Sequence, residues 1–455
     1  MEERNEILLA TINTLLKKNE FRKITTILNK IHAADVAEIA THLSSENLNK
    51  IFEAWDPKHC ASVLLEMSLD EQVKIAEELR VSVMTHILEK MPPDDMADFL
   101  GAIPEEISES ILGSMREEVA TRVKQLLKYG KETAGGIMTP EFIALKKDMT
   151  AEEAIESLRK TVPEAESIYY VFVINREGQL AGVISLRDLI VSQPKTLIKE
   201  VMNPEVIYAR AEIDQEEVAR IMSKYDLLAL PVVDPDQKLL GIVTIDDVVD
   251  VIKEEATEDM YRLSGTRDIP ESDVMRGKFS AVVRARIPWL MIALGGEVVV
   301  VGLIADRFKE LISVLPALAV YWAAMTSIGG NTSFQASTVA VRALATGELD
   351  PKTVGLRLFR EVRLGLLMSI ISAVALFLVA LVWQRLLALA VIVAVSNVSI
   401  VVVGALTGTL APIILDRLGI DPAVSSSPFL ALIMDALSLL LYFSIAVGIL
   451  GLYPI

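Results

Sequence analysis

LGLLMSIISAVALFLVALVW, residues 364–383, decides the architecture: it is twenty residues long and carries no charge. At ~1.5 Å per residue such a helix spans the ~30 Å hydrocarbon core of a bilayer, and it is too apolar for a soluble domain. Four further apolar runs lie around it, roughly Pro288 to Leu303, Leu311 to Ile328 with a polar continuation, Leu387 to Leu415, and Pro428 to Leu452. Five helical spans are therefore predicted, filling a transmembrane domain over 281–455 in contact with a lipid bilayer.

The chain is 52% apolar over 455 residues yet has a formal net charge of -17, a combination rare in a single soluble domain. Residues 1–280 hold 33 Lys and Arg against 52 Asp and Glu, whereas 281–455 hold 11 against 9. All the acidity belongs to the first part. The single cysteine, Cys60, cannot form an internal disulfide, and residues 1–10 show no cationic stretch followed by a long apolar run, so nothing points to secretion. The first part is expected in the reducing cytoplasm. On that basis Arg276, Lys278, Arg284 and Arg286, then Arg342, Lys352, Arg357, Arg360 and Arg363, and Arg417 all fall inside, while the outer segments carry only Arg307, Lys309 and Arg385. That is the positive-inside pattern. It predicts a multi-pass protein of the plasma or inner cell membrane, with the N-terminus cytoplasmic and the C-terminus outside.

Within 1–130, apolar residues return every three or four positions, as in Ile39, Leu43, Leu48, Ile51 and Phe52, and the turns carry Asp-Pro or Pro-Pro. An acidic N domain of short helices in a superhelix fits. Asp35-Val36-Ala37-Glu38-Ile39 is echoed weakly by Asp95-Met96-Ala97-Asp98-Phe99. His59-Cys60 is too sparse for a metal motif and reads as helix surface and core.

Over 131–252 the texture changes to β-branched strands with a strong internal repeat. Met138-Thr139-Pro140-Glu141 matches Met202-Asn203-Pro204-Glu205, and Gly182-Val183-Ile184-Ser185-Leu186-Arg187-Asp188 matches Gly241-Ile242-Val243-Thr244-Ile245-Asp246-Asp247. The first copy carries a few extra residues around Val162 to Glu166. Each copy reads strand, helix, two strands, helix, with Tyr170 to Val173 and Leu230 to Val233 as first inner strands. This resembles an α/β tandem pair of CBS modules, whose cleft can hold an adenine nucleotide such as ATP. The resemblance places Ser185, or Thr244, against phosphate and Asp188, or Asp247, against the ribose hydroxyls. Tyr170 and Arg187 could stack on the base or pair with phosphate. The plainer alternative is that these polar residues cap the helix that follows.

Residues 246–280 form the connection to the membrane, beginning with a predicted helix that carries Asp246, Asp247, Asp250, Glu254, Glu255, Glu258 and Asp259. Asp247, Asp250, Glu254 and Glu258 share one face at ~3.6 residues per turn. Like charges at i,i+4 cost a few tenths of a kcal/mol per pair, and Lys253 and Arg262 are the only local bases. A solvated linker face is one reading. The other is a set of weak sites for a hard cation, shared with Asp94, Asp95 and Asp98 and with Glu216, Glu217 and Asp226.

Polar residues inside spans are costly and need a reason. Asp435 falls ~10 Å beyond Pro428 along the last span. The second span ends in Ser327-Ile328-Gly329-Gly330-Asn331-Thr332-Ser333-Phe334-Gln335. There Gly329 and Gly330 can expose backbone carbonyls and Asn331 adds an amide oxygen, so with Asp435 they offer an oxygen site for a hydrated cation. Close helix packing is the alternative for the glycines, and a helix-helix hydrogen bond for Asp435. His32, His42, His59, His86 and Cys60 all lie in the first hundred residues, so zinc, copper and nickel lack their favoured ligands in the membrane part. Met325 and Met434 read as packing. No Walker-type loop, Ser-His-Asp set or metal-hydrolase motif marks an enzyme.

The order acidic helical domain, CBS pair, acidic connecting helix and five spans resembles the MgtE family of magnesium transporters and channels over nearly the whole chain. The sharpest residues are Gly329-Gly330-Asn331 with Gln335, Arg342-Ala343-Leu344-Ala345-Thr346-Gly347, Arg417-Leu418-Gly419-Ile420-Asp421-Pro422-Ala423, and Pro428 followed by Asp435. The resemblance implies a homodimer with its pore on the dimer axis and Asp435 holding hydrated Mg2+. It also implies regulatory Mg2+ at Asp94, Asp98, Asp247, Asp250, Glu255, Glu258, Glu216 and Asp226, locking the connecting helix shut. No nucleic-acid partner is expected. Ser333 departs from the family's Gly-Gly-Asn-x-Gly-x-Gln pattern, which bears on the width of the mouth. Glu297 is a second departure, an acid in the middle of the first span with three readings: an added ion ligand, a proton-titrating group or a protonated packed side chain. The competing functions are passage of another dication (Co, Mn or Ca) and a membrane-anchored nucleotide or metal sensor that transports nothing. The second leaves Asp435 and the polar interruption unexplained.

Overall fold

The computed structural model describes residues 2–161, 170–264, 266, 279–347, 354–426 and 428–451. The extra residues expected from Val162 to Glu166, together with Arg276, Lys278, Lys352 and Leu452, lie outside them. The chain divides into two compact units, Met1–Ile252 and Lys253–Ile455.

The first unit opens with α1 (Glu2–Lys17), α2 (Phe21–Leu28), α3 (Ala33–Thr41), α4 (Ser45–Ala54), α5 (Pro57–Leu65), α6 (Leu69–Glu78), α7 (Val81–Leu88), α8 (Pro93–Ala102), α9 (Glu105–Ser114) and α10 (Glu117–Leu126). Proline in the first turn sets where α5 and α8 begin, because its missing N–H is one that a first turn leaves unpaired anyway. From α1 to α8 each helix packs against the helix two further on, the stacking of a superhelix. Cys60 is fully buried, and burial with the nearby Asp56 carboxylate pushes its thiol up to about 12. His59 stays half-exposed, stacked on Trp55 at 5.9 Å. Cys60 is thus helix core and His59 helix surface.

Two three-stranded sheets follow, each with one parallel and one antiparallel pairing. The first holds β1 (Ala144–Lys146), β2 (Tyr170–Ile174) and β3 (Leu180–Ser185), with α11 (Ala151–Thr161) before β2 and α12 (Leu186–Val191) after β3. The short α13 (Ile198–Val201) leads to the second, β4 (Ala209–Arg210), α14 (Gln215–Tyr225), β5 (Ala229–Val233), β6 (Leu239–Thr244) and α15 (Ile245–Leu263). The repeat read from sequence is therefore a structural repeat. β5 is buried along its whole length. One apolar core runs from Ile12 in α1 through the helical domain to Val248 and Val251 on α15, so the helices and the second sheet module fold against each other.

The second unit contains α16 (Phe279–Gly296), a π-helical turn (Glu297–Val301), α17 (Gly302–Arg307), α18 (Lys309–Val314), α19 (Ala317–Ala345), α20 (Val354–Gln384), α21 (Leu387–Arg417), a 3-10 turn (Pro422–Ser426) and α22 (Pro428–Leu450). Four helical stretches are long and apolar enough to cross a membrane: Val282–Arg307, Val354–Gln384, Leu387–Arg417 and Pro428–Leu450. The remaining expected span is α19, 29 residues long, whose serines, threonines and asparagine lower its hydropathy.

Three expectations are corrected. The first span does not begin at Pro288: α16 starts at Phe279 and contains that proline, so the helix extends further toward the charged side than the apolar run alone. Leu311 belongs to the separate α18, and the chain turns at Leu315 and Pro316 before α19 begins. The third concerns Gly329 and Gly330, which do not interrupt the second span. α19 continues through them, and its intrahelical hydrogen bonds satisfy the carbonyls expected to be exposed. Gly329 works in packing instead, because a Cβ there would lie 2.3 Å from Ser438 Oγ and 2.9 Å from the Ile400 side chain.

The same logic joins α19 to α21. A Cβ on Gly408 would stand 2.1 Å from the Ser333 carbonyl oxygen, and one on Gly404 3.0 Å from that of Gly329. Gly408→Ala is expected to cost about 1–3 kcal/mol, as overpacking does when backbone is the obstacle. A melting temperature in detergent equal to that of the unmodified protein would contradict this packing.

Candidate functional site

Asp435 lies eight residues into α22 and is half-buried. Its neighbours on that helix fix its position: Met434 and Leu439 are fully buried, and Tyr442 donates its hydroxyl to the Leu318 carbonyl at 3.0 Å, tying α22 to α19. Met434 and Met325 are packing residues, both fully buried. The Gly329 contact brings α19 to the turn of α22 that contains Asp435 and Ser438. Gly330 has open space beside it, and the exposed Asn331 donates its amide to Ser327 Oγ at 3.4 Å. Of the predicted oxygen set, Gly329 meets the Asp435 turn, while Gly330 and Asn331 lie on the open side of α19. Ser333 is fully buried against Gly408, inside the helix interface rather than at an open mouth.

The α15 acids divide between the units. Asp247 is largely buried, accepts a hydrogen bond from the Thr244 hydroxyl, and has its carboxyl held above the usual range by burial, with Asp246 and Asp250 adding to the shift. Ser185 and Asp188 make the equivalent pair in the first module. The Ser185 hydroxyl donates to Asp188 at 2.6 Å and accepts from the Asp188 N–H at 3.1 Å. The capping alternative therefore describes these residues as they stand, with Arg187 and Asp188 exposed and Tyr170 half-buried. A small cavity of about 160 Å³, lined by Leu180, Pro204, Val206, Tyr208, Val233 and Gln237, opens at the far end of β3 from Ser185. None of the four predicted nucleotide residues lines it.

Elsewhere in the first unit Asp94 is buried on the first turn of α8, Asp98 is exposed one turn later, Glu216 is exposed in the first turn of α14, and Asp226 ends α14 with φ 51°. Among the described residues no three His, Cys, Asp or Glu side chains gather as a metal cage.

In the second unit the end of α15 reveals residues that sequence reasoning missed. Gly419, at φ 70°, stops α21, with the Ile420 N–H donating back to the Leu415 carbonyl at 2.9 Å. Asp421 follows at once, one oxygen accepting the Ala423 N–H at 2.7 Å and the other paired with Arg262, which also pairs with Glu258. Asp259 is shifted upward by burial and by Glu255, while Arg342 at the end of α19 pulls it the other way. The signal for this tie was thin, since Arg262 and Asp421 stand 159 residues apart. Glu297 lies at the start of the π-helical turn, its carboxyl within hydrogen-bonding reach of Asp435.

Comparison with known proteins agrees with this layout. Residues 31–132 match the family model of the MgtE intracellular N domain, 134–194 and 198–254 match the CBS domain, and 323–445 match the MgtE divalent cation transporter model. The magnesium transporter MgtE of Thermus thermophilus is 37% identical over 98% of this chain and 98% of its own length. That of Enterococcus faecalis is 38% identical over 98% and 97%. The crystal structure of the cytosolic domain of the Mg2+ channel MgtE in complex with ATP covers 53% of this chain and 99% of its own, at 38% identity and a TM-score of 0.51. The chain is a multi-pass membrane protein and belongs to the MgtE family of divalent cation transporters.

Proposed function

We propose that this protein conducts Mg2+ across the cell membrane and is closed by Mg2+ on its cytoplasmic side. The observation that carries this reading is a carboxylate, Asp435, set well inside a 23-residue apolar helix in a chain similar to magnesium transporters along almost its whole length. In this reading the protein is a homodimer with the pore between copies, the N-terminus is cytoplasmic and the C-terminus outside. Asp435 holds the hydrated ion, with the Asn331 amide on the neighbouring helix as a further oxygen. Mg2+ keeps most of its water and takes few protein oxygens, which suits a site built from few side chains.

Closure is assigned to weak Mg2+ binding at Asp94, Asp98, Asp247, Asp250, Glu216 and Asp226 in the first unit and at Glu255 and Glu258 in the second. α15 is one helix from Ile245 to Leu263 and carries four of these acids, Asp247, Asp250, Glu255 and Glu258. The test is Mg2+ flux into liposomes holding the full chain, with and without Mg2+ on the cytoplasmic face. Flux that ignores cytoplasmic Mg2+ refutes the gate, and absence of flux refutes the conduit and favours a sensor.

The cleft between the CBS modules is proposed to bind ATP. The Ser185 and Asp188 hydroxyl-carboxylate pair can turn toward ribose and phosphate at the cost of its cap. Asp188→Ala is expected to weaken ATP by about 1.5–3 kcal/mol, the range for hydrogen bonds to a charged group. Calorimetry on the full-length protein decides it, and equal affinity in the variant rules out this role for Asp188.

A further inference from the structure

Glu297 is an ionisable group in the middle of a membrane helix, a placement that costs several kcal/mol unless the group has work there. The bases nearest to it along its own span, Arg286 and Arg307, are each about three turns away, and Pro428–Leu450 contains no base at all. Neither of the two helices supplies a cation for it. Their contacts instead climb in register: Trp289 meets Phe429 edge-on at 5.6 Å, Gly296 lies so near α22 that a Cβ would reach 2.3 Å from the Leu432 side chain, and Glu297 faces Asp435. The π-helical turn begins at Glu297 itself. Such a turn inserts an extra residue and re-aims the side chains around it, and it recurs at functional sites. One turn beyond Asp435 on the same helix, Ser438 is fully buried and has no hydrogen-bond partner for its Oγ, which lies toward Gly329 of α19. Two carboxylates therefore meet where α22 is closest to the π-helical turn, one helical turn from a buried hydroxyl that has no partner.

We propose that Glu297 is a second ion-binding carboxylate of the pore, set beside Asp435 so that together they hold the permeating dication and decide which dications pass. This rests on the conduit reading above and deepens it. Two carboxylates side by side repel strongly away from water, and a divalent cation between them removes that repulsion. The pair also changes the chemistry of the site. A lone carboxylate can hold a hydrated Mg2+ through its water shell, whereas two from different helices can displace water and bind the ion directly. Mg2+ dehydrates reluctantly and insists on an octahedron, while Ca2+ accepts irregular sets of six to eight oxygens. Glu297 thus raises affinity for dications generally and for Ca2+ most, and Ca2+ becomes a strong competitor of Mg2+.

The test uses the full chain in liposomes and measures Mg2+ influx against external Mg2+, then its inhibition by external Ca2+. Glu297→Gln is expected to raise the Ca2+ concentration for half-inhibition at least about tenfold and the half-saturating Mg2+ by less. Glu297→Asp, which keeps the charge on a shorter arm, should restore part of both. Wild-type values in Glu297→Gln, with Asp435→Asn inactive, overturn the inference and leave the conduit standing. No Mg2+ influx in the unmodified protein removes both. If Glu297→Gln does not reconstitute, Glu297→Leu, which removes the carboxylate and leaves an apolar side chain in the span, decides, and wild-type half-inhibition by Ca2+ in that variant overturns the proposal.

Discussion

Replacing Asp435 with alanine is expected to reduce Mg2+ flux at least about a hundredfold while the protein still reconstitutes. Two orders of magnitude correspond to about 2.8 kcal/mol. Unit charges 4 Å apart attract by about 4 kcal/mol at an effective dielectric near 20, and the ion carries two charges. Losing the only acid in Pro428–Leu450 can thus account for the whole effect. Stability should change little, because Asp435 is half-buried and its helix is held by Met434, Leu439 and Tyr442. Purified variant protein that elutes and melts like the unmodified chain yet passes Mg2+ at an undiminished rate would remove Asp435 from the pathway.

Much of this architecture was legible because it is written locally. The tandem modules announce themselves twice, in the Met-x-Pro-Glu starts and in the Gly-x-x-Ser/Thr ends, and the two ends close β3 at Ser185 and β6 at Thr244. The spans declare themselves by apolar length. Misreadings came where tertiary packing overrides local preference. A proline usually opens a helix, yet Pro288 lies inside α16. Paired glycines usually weaken one, by about 1 kcal/mol each relative to alanine, yet Gly329 and Gly330 sit in an unbroken α19, where the missing Cβ of Gly329 lets Ser438 and Ile400 come close.

Pairing across the fold was the least legible part. Asp435 stood out by its depth and Glu297 by its incongruity, but nothing in a span's own sequence says which other span it touches. That the two meet is set by the register of α16 on α22, through Trp289 on Phe429 and Gly296 on Leu432. The same holds for Arg262 and Asp421. The ten acidic residues between Glu212 and Glu255 on either side of β5 and β6 were visible as charge; which of them work together was not.

Neutralising Asp247, Asp250, Glu255 and Glu258 to Asn or Gln is expected to weaken inhibition by cytoplasmic Mg2+, shifting the inhibitory concentration upward and flattening the curve. The first 280 residues carry 52 acids against 33 bases, so at low Mg2+ their carboxylates repel on balance. Bound Mg2+ reverses that balance site by site, and weak sites fill together only near millimolar ion. Moving a gate from 1:99 to 99:1 takes about 5.5 kcal/mol, more than one exposed ion pair supplies at ~0–1 kcal/mol, so several sites must act jointly and the response should be steep. Removing four carboxylates lowers both the number of sites and the steepness. Arg262, paired with Asp421, ties the last turns of α15 to the turn after α21. Deleting residues 1–127 should act like the neutralised variant, since Asp94 and Asp98 leave with them. Flux measured against cytoplasmic Mg2+ in the intact, neutralised and truncated proteins decides the matter. Curves that coincide in midpoint and slope would make the acidic face of α15 a solvated helix surface and place the sensor elsewhere.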